Sequence, residues 1–209
     1  MKPLPGQTPR AFWEDRYRDA SAETTGRPSA ILEHYAKELV PGRALDLGCA
    51  KGDDAIWLAQ HGWDVCGVDI SEEALSIARS NALRRGVADR IMFACHDLTV
   101  SFPKGEFDLI SAMFLQTPFE FPRREVIARA YSQLQPKGLL LSVTHGSAAP
   151  WSWSREGHVF PTAEQELGEL GYDESDVLVA FVGSVSRIAT GPDSQTASVL
   201  DNVIVLQKK

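Results

Sequence analysis

The segment from Arg43 to Gly52 constrains the fold more than any other part of the chain. An apolar run containing Asp46 is followed by Gly48, Ala50 and Gly52, three small residues at alternate positions, and a helical pattern begins directly afterwards. Small residues let the backbone come close to a ligand, and glycine also tolerates a positive φ. The segment therefore predicts a strand, a tight turn and a helix start that together bind a ligand.

Strand and helix patterns alternate from residue 43 onward, which indicates a mainly parallel sheet with helices on both faces. The predicted strands are 44–47, 63–68, 91–95, 107–113 and 139–144, the last preceded by a sharp turn at 135–138. Two further β-rich runs, 177–189 and 198–206, flank Gly191-Pro192-Asp193. These two runs predict an antiparallel hairpin at the end of the sheet.

The composition is that of one globular α/β domain, with 209 residues, 44% hydrophobic and 23% charged. A chain of this size buries about 70% of its unfolded surface. The net charge of −7 would repel the negatively charged phosphate backbone of a nucleic acid, so we expect no nucleic-acid partner. The three cysteines are too few and too scattered for a disulfide framework, and we predict no metal site. Without a signal peptide or an apolar run of ~18 residues, we expect a cytoplasmic protein with no membrane partner.

We interpret residues 1–209 as a single domain with three regions. Residues 1–40 are predicted to form a helical lid, 41–145 a ligand-binding core, and 146–209 a substrate-side loop followed by the hairpin. Residues 1–10 contain three prolines and one glycine, and we expect them to be a mobile tail.

Four features converge on one crevice, because open α/β sheets bind ligands at the carboxyl ends of their strands, where the strand order reverses. They are the 46–52 turn, Asp69 after the second strand, His96-Asp97-Leu98 after the third, and Ala112-Met113-Phe114 after the fourth. An acid directly after the second strand can accept hydrogen bonds from ribose hydroxyls.

This pattern resembles motif I of the class I S-adenosylmethionine (SAM) methyltransferases, and the resemblance covers roughly residues 29–145. Glu106-Phe-Asp108 and Leu134-Gln-Pro-Lys-Gly138 resemble further motifs of that family. The resemblance implies a Rossmann-like, seven-stranded, mostly parallel sheet in the order 3-2-1-4-5-7-6, with strand 7 antiparallel. Ala50 departs from the family, which often has glycine there, but alanine is small enough for the loop to form.

The resemblance also implies SAM as cofactor, S-adenosylhomocysteine (SAH) as product, and a role for each residue of the crevice. The cofactor would be held by a loop of Gly48, Cys49, Ala50 and Gly52. Asp46 would hold its amino group, Asp69 its ribose, and Asp97 and Leu98 its adenine. Ala112 and Met113 would line its methionine end, and Ile70 is a further cofactor-binding candidate.

A dinucleotide-binding oxidoreductase is the less favoured alternative. The third glycine of its G-x-G-x-x-G motif would fall on Asp53, whose charge would oppose a pyrophosphate at the helix N-terminus. A non-catalytic SAM-binding regulatory module is a further alternative, since an intact cofactor loop does not distinguish it from an enzyme.

The acceptor is expected to be a small molecule bearing a thiol, chalcogen, amine or hydroxyl. The segment Phe12-Trp13-Glu14-x-Arg16-Tyr17 and the Gly26-Arg27-Pro28 turn are similar to small bacterial methyltransferases of the tellurite-resistance and thiopurine type, which implies a small, soft acceptor. The Asn/Asp-Pro-Pro-aromatic motif of nucleic-acid amine methyltransferases is absent after the fourth strand. Trp13 could cover the cofactor.

His145 follows the fifth strand and is the candidate general base, with a surface histidine as the alternative interpretation. Phe114, Gln116, Trp151 and Trp153 could line an acceptor pocket, although the two tryptophans could equally anchor a long loop. The protein is expected to be a monomer or a homodimer.

Overall fold

The structure is a computed structural model that describes residues 2–18, 24, 26–152, 159–172, 175–191 and 193–209. Its helices are α1 (Pro9–Arg18), α2 (Ala30–Ala36), α3 (Asp53–Gln60), α4 (Glu72–Arg84), α5 (Arg123–Ser132) and α6 (Ala163–Leu170), with one 3-10 turn at Ala88–Arg90. Its strands are β1 (Arg43–Leu47), β2 (Asp64–Asp69), β3 (Ile91–Cys95), β4 (Phe107–Met113), β5 (Leu134–His145), β6 (Val177–Thr190) and β7 (Thr196–Lys208).

The strands form one seven-stranded sheet in the order β3-β2-β1-β4-β5-β7-β6. Strands β1 to β5 run parallel, and β7 runs antiparallel to both β5 and β6. The predicted strand order and the antiparallel strand 7 are therefore confirmed. The order reverses between β1 and β4, so their carboxyl ends open the crevice at which such sheets bind ligands.

Alternate residues of each strand face opposite sides of the sheet, and helices cover both sides. One face packs against α2, α3 and α4, and the other packs against α5 and α6. Leu45 and Leu47 of β1 pack on the face that α5 and α6 cover, whereas Ala44 packs on the face that α2, α3 and α4 cover. Burial on both faces explains why β1 is a nearly continuous apolar run.

Strand β5 begins earlier than the sequence predicts. Residues 135–138 form an irregularity inside the strand, because Leu134 already pairs with Phe107 while Leu139 pairs with Leu109. Lys137 adopts a positive φ of 67° at this irregularity. The side chain of Leu134 is buried, which holds the strand in the sheet ahead of the bulge.

Helix α1 begins inside the segment that was expected to be a mobile tail. Pro9 and Arg10 form its first turn, and Arg10 Nε donates to Ile70 O at 3.2 Å. Proline suits the first helical position because its fixed φ is helical and its missing N–H needs no partner there. Among the described helices, none is long and apolar enough to cross a membrane.

Candidate active site

The loop after β1 has the backbone shape that its small residues predict. Gly48, Ala50 and Gly52 have φ angles of 73°, 48° and 85°. The N–H groups of Gly48 and Cys49 both donate to Val68 O, at 2.8 and 2.9 Å. Ala50 thus adopts the left-handed conformation without being glycine, at a cost of about 1–2 kcal/mol.

Gly48 and Gly52 have different surroundings. A Cβ on Gly48 would lie 2.9 Å from Leu115 Cδ1, and Gly48 lines a cavity at the carboxyl edge of the sheet. A Cβ on Gly52 would instead lie 3.1 Å from Ala78 Cβ, within α4. Because Gly48 has no side chain, its backbone can lie directly at the cavity wall. Because Gly52 has none, the start of α3 can pack against α4.

Asp69 ends β2 and joins two turns of the crevice. Its Oδ2 accepts from Ala50 N and its Oδ1 accepts from Ser71 N, both at 3.0 Å. Burial raises the pKa of this carboxyl, and the hydrogen bonds from Ser71 and Ala50 oppose the rise. The side chain lines the cavity. Because a carboxylate has about four lone-pair positions, Asp69 can also accept hydrogen bonds from a ligand there.

Asp46 is buried in the middle of β1 and is 2% exposed. Its Oδ1 accepts from Ser111 Oγ at 3.0 Å, while its Oδ2 has no hydrogen-bond partner among the described residues. Burial raises the pKa of Asp46 well above its usual value, and the charges of Asp54 and Asp69 raise it further. A buried carboxylate with a spare oxygen, beside two further acids, suits a cationic group.

The cavity lies at the carboxyl edge of the sheet and has a volume of about 230 Å³. Asp97 and Leu98 form part of its wall next to Asp69 and Ile70. Asp97 Oδ1 accepts from Thr99 N at 3.0 Å and from Thr99 Oγ1 at 2.7 Å, so the turn after β3 is held by its own side chains.

The opposite wall is the segment that follows β4. Residues 114–117 and 119–121 line the cavity there, and four of them bear aromatic or aliphatic side chains: Phe114, Leu115, Phe119 and Phe121. Arg123 fixes the segment, since its guanidinium donates to Leu115 O and to Ser142 Oγ, both at 2.7 Å.

Residues 44–138 match a protein family described as a methyltransferase domain. This part of the chain is a methyltransferase domain. The match begins one residue into β1 and includes every crevice turn from β1 to β4 described above.

Relatives and solved structures agree with this assignment. The chain is 34% identical over 120 residues to the ribosomal RNA small subunit methyltransferase C of Alcanivorax borkumensis, covering 54% of this chain and 35% of that protein. Across four curated relatives it spans only 31% to 56% of their length.

Two solved structures share the fold of the methyltransferase domain. TehB from Haemophilus influenzae aligns with a TM-score of 0.71 at 20% identity, covering 94% of this chain and 67% of that one. The N-methyltransferase NodS of Bradyrhizobium japonicum, solved with SAH, aligns with a TM-score of 0.62 at 19% identity, covering 95% and 88%. The predicted class I methyltransferase fold is thereby confirmed.

Helix α1 closes the cavity of the methyltransferase domain from the N-terminal side. Trp13 and Tyr17 line the cavity and stack with ring centroids 6.2 Å apart. Burial raises the pKa of Tyr17, and the nearby charge of Asp69 raises it further. Phe12 packs edge-on against Phe119, with centroids 5.5 Å apart. The helix therefore bridges the two walls of the cavity.

Glu14, which the sequence analysis did not assign to the site, fixes α1 to the methyltransferase domain. Its carboxylate accepts from Ser71 Oγ at 2.8 Å and from the N–H groups of Glu72 and Glu73 at 3.0 Å. These amides belong to the first turn of α4, where backbone N–H groups lack helical partners and negative charge is favoured. A carboxylate from another helix thus supplements the Ser71 cap, directly beside Asp69.

Asp54 in the first turn of α3 was also missed. It accepts from Ser29 N at 2.6 Å, which holds the start of α2 against the cofactor loop. Burial raises the pKa of Asp54 to about 6, Asp53 adds to the rise, and the hydrogen bond from Ser29 opposes it. Acids in a first helical turn are common, so this role leaves no distinctive pattern in the sequence.

Replacing Asp54 with asparagine is expected to stabilise the cofactor-free protein at high pH. A carboxyl whose pKa is raised on folding binds protons more tightly in the folded state, so it costs stability as pH rises from about 4 through 6. Asparagine can still accept from Ser29 N. We expect the free energy of unfolding to rise by ~1–2 kcal/mol at pH 8, with little gain at pH 4.

Urea unfolding at both pH values checks this expectation. Asp64→Asn, which changes an exposed acid paired with Arg90, is the matched control and should show no such pH-dependent gain. Equal stability of Asp54→Asn and the wild type at pH 8 would contradict the assignment.

Three further residues that the sequence predicts for the site, Ala112, Met113 and His145, do not line the described cavity. Ala112 is buried in β4, and Met113 packs with the core on the helix α2 and α3 side of the sheet. His145 stacks on Phe114, with centroids 4.7 Å apart, and its N–H donates to Gln116 Oε1 at 3.1 Å. Thus His145 stands behind two cavity residues rather than in the wall itself.

Of the two tryptophans in the loop after β5, the structure describes only Trp151. Trp151 lies beside the turn between β6 and β7, where a Cβ on Gly191 would be 2.7 Å from its Cδ2. It does not line the described cavity. Trp153 lies outside the described residues.

Proposed function

We propose that this protein transfers a methyl group from SAM to a small-molecule acceptor. The observation that carries the proposal is the convergence of Gly48, Asp69 and the Asp97-Leu98 turn on one cavity, which α1 covers. These residues come from three separate strand ends, those of β1, β2 and β3. We also propose that the protein works in the cytoplasm as a monomer or homodimer.

The residues present fit the cofactor. Asp69 would accept hydrogen bonds from the ribose hydroxyls, and Asp97 with Leu98 would hold the adenine. The buried Oδ2 of Asp46, which has no hydrogen-bond partner among the described residues, and the charge of Asp54 favour a cation nearby. SAM carries two cationic groups, its amino group and its sulfonium. SAM, when bound, supplies an already activated methyl group, so the protein's task is mainly alignment and exclusion of water.

The acceptor would lie against the segment after β4. Its side chains offer an apolar surface of Phe114, Phe119 and Phe121 with one amide, Gln116, beside them. Such lining, with few polar groups, is typical of small-molecule sites. One relative acts, by its name, on ribosomal RNA, but the net charge of −7 disfavours a polyanionic acceptor here.

A SAM-binding module without turnover is the second candidate. It would be favoured if the chain's own aromatic residues filled the acceptor side. Phe114 does form part of that wall, although Trp151 lies away from it. The cavity is also lined by Glu120 and Phe121, which lie outside the turns assigned to the cofactor, and this favours the enzyme.

Calorimetry and a turnover screen test the proposal. SAH is expected to bind the wild-type protein, with NAD⁺ and NADP⁺ binding far more weakly. Labelled SAM is then incubated with sets of small thiols, amines, phenols and alcohols, and transfer of label identifies the acceptor. Preferential binding of a nicotinamide dinucleotide would overturn the cofactor assignment, and binding of SAH without label transfer to any acceptor would favour the regulatory module.

A further inference from the structure

A buried carboxylate lies next to His145 at the carboxyl end of β5. Asp201 of β7 pairs with His145 in the sheet register, and its side chain is only 7% exposed. Arg187 Nε donates to Asp201 Oδ2. The other oxygen, Oδ1, is buried without a hydrogen-bond partner among the described residues, and it lies 3.6 Å from His145 Nδ1. A small rotation of the imidazole would complete that hydrogen bond.

His145 is held more firmly than a half-exposed histidine on a loop. Its ring lies on Phe114 at an interplanar angle of 29°, and its backbone N–H is bound by Gln116. Arg187 covers the same Phe114 ring, with its Cζ 5.4 Å from the centroid. Both Phe114 and Gln116 line the cavity. The ring plane and the backbone of His145 are therefore each fixed by a different neighbour, and Nδ1 faces Asp201.

We propose that Asp201 is a positioning residue for His145 as a general base, and that the methyl acceptor is a hydroxyl or amine that loses its proton during transfer. This inference rests on the proposed function. With Nδ1–H directed to Asp201, the lone pair of Nε2 is free to take a proton. Arg187 donates to Asp201 Oδ2, so Oδ1 is left to accept from His145 Nδ1–H.

The step balances without a further reactant. The acceptor's oxygen or nitrogen forms a bond to the methyl carbon as the carbon–sulfur bond of SAM breaks, and that electron pair stays on sulfur to give SAH. Because His145 stands behind Phe114 and Gln116, the acceptor's proton passes to His145 Nε2 through one intervening water, and Asp201 stabilises the resulting imidazolium. A thiol ionises substantially near pH 8–9 and has less need of a base. The cluster therefore favours a harder acceptor than the soft one expected from the N-terminal sequence.

The tautomer of His145 tests the inference without any acceptor. In the wild type, ¹⁵N NMR of the imidazole is expected to show the Nδ1–H form, and His145→Gln identifies the signal by its loss. In Asp201→Asn, the amide oxygen can keep the bond from Arg187, and its NH₂ then faces Nδ1. The proton should therefore move to Nε2, where the lone pair is needed.

Asp64→Asn is the matched control, because Asp64 also pairs with an arginine, Arg90, at 3.2 Å, but at the start of β2. It should leave the His145 signal unchanged. An Nε2–H tautomer in the wild type, or no change of tautomer in Asp201→Asn, would overturn the inference.

Kinetics with the acceptor found in the screen supply the second readout. Asp201→Asn and His145→Gln are each expected to lower kcat by about 10²-fold or more, the usual contribution of a general base, and to remove the ascending, low-pH limb of the pH–rate profile. Binding of SAH should stay within about twofold, since neither residue touches the cofactor turns.

The outcomes separate this inference from the proposed function. Unchanged kcat and pH profile in Asp201→Asn, or methylation of thiols alone, would overturn the inference while the methyltransferase assignment stood. If the wild type did not bind SAH, the proposed function would fail and this inference with it.

Discussion

Asp69→Ala is expected to raise the dissociation constant of SAH by roughly 5- to 150-fold, or ~1–3 kcal/mol. The carboxylate faces the cavity and is the acid placed to accept from the ribose hydroxyls. It also accepts from Ala50 N and Ser71 N, so its removal loosens the cofactor loop and the turn after β2 together. Both losses act in the same direction on binding.

Isothermal titration with SAH measures the effect, and thermal unfolding confirms that the variant is folded. Asp64→Asn, at the other end of β2, changes an exposed acid and should bind SAH like the wild type. An unchanged dissociation constant of SAH in Asp69→Ala would contradict the assignment of Asp69 to the ribose site.

Gly48→Ala is expected to weaken SAH binding by about 2–3 kcal/mol, which corresponds to roughly 30- to 150-fold. The backbone at this position has a φ of 73°, and the added Cβ would lie 2.9 Å from Leu115 Cδ1. Relief of that contact moves either the cofactor loop or the side chain of Leu115 in the segment after β4. Both form walls of the cavity, so either movement changes its shape.

Gly86→Ala separates the two causes of this loss. Gly86 has nearly the same φ, 70°, but a Cβ there would meet nothing within 4 Å. It should therefore lose about 1 kcal/mol of stability through backbone strain alone and bind SAH normally. Normal binding by Gly48→Ala, measured beside this control, would show that the loop does not approach the cofactor.

The predictable parts of this protein are those with local periodicity. The parallel strands are continuous apolar runs, and the turn at 48–52 is marked by small residues that tolerate positive φ. The start of β5 was misjudged because Pro136 and Gly138 have the composition of a turn. Burial of Leu134 and its pairing with Phe107 outweigh that local preference.

The missed residues depend on contacts that are distant in the sequence. Glu14 looks like any acid on a helix, and only the docking of α1 brings it to the amides of α4. Asp201 reaches His145 because the register of β5 with β7 places them side by side, 56 positions apart. Neither pairing leaves a spacing or motif that one sequence can reveal.

Helix α1 and the end of β7 differ in how far they can be changed without disturbing the site. Residues of α1 supply Trp13 and Tyr17 to the cavity wall and Glu14 to the first turn of α4. A shortened chain starting after Arg18 would open the site and leave those amides without their carboxylate. Lys208 ends β7 beside the start of β5, at the opposite edge of the sheet. Fusion partners and purification tags therefore belong at the carboxyl end, where they disturb neither.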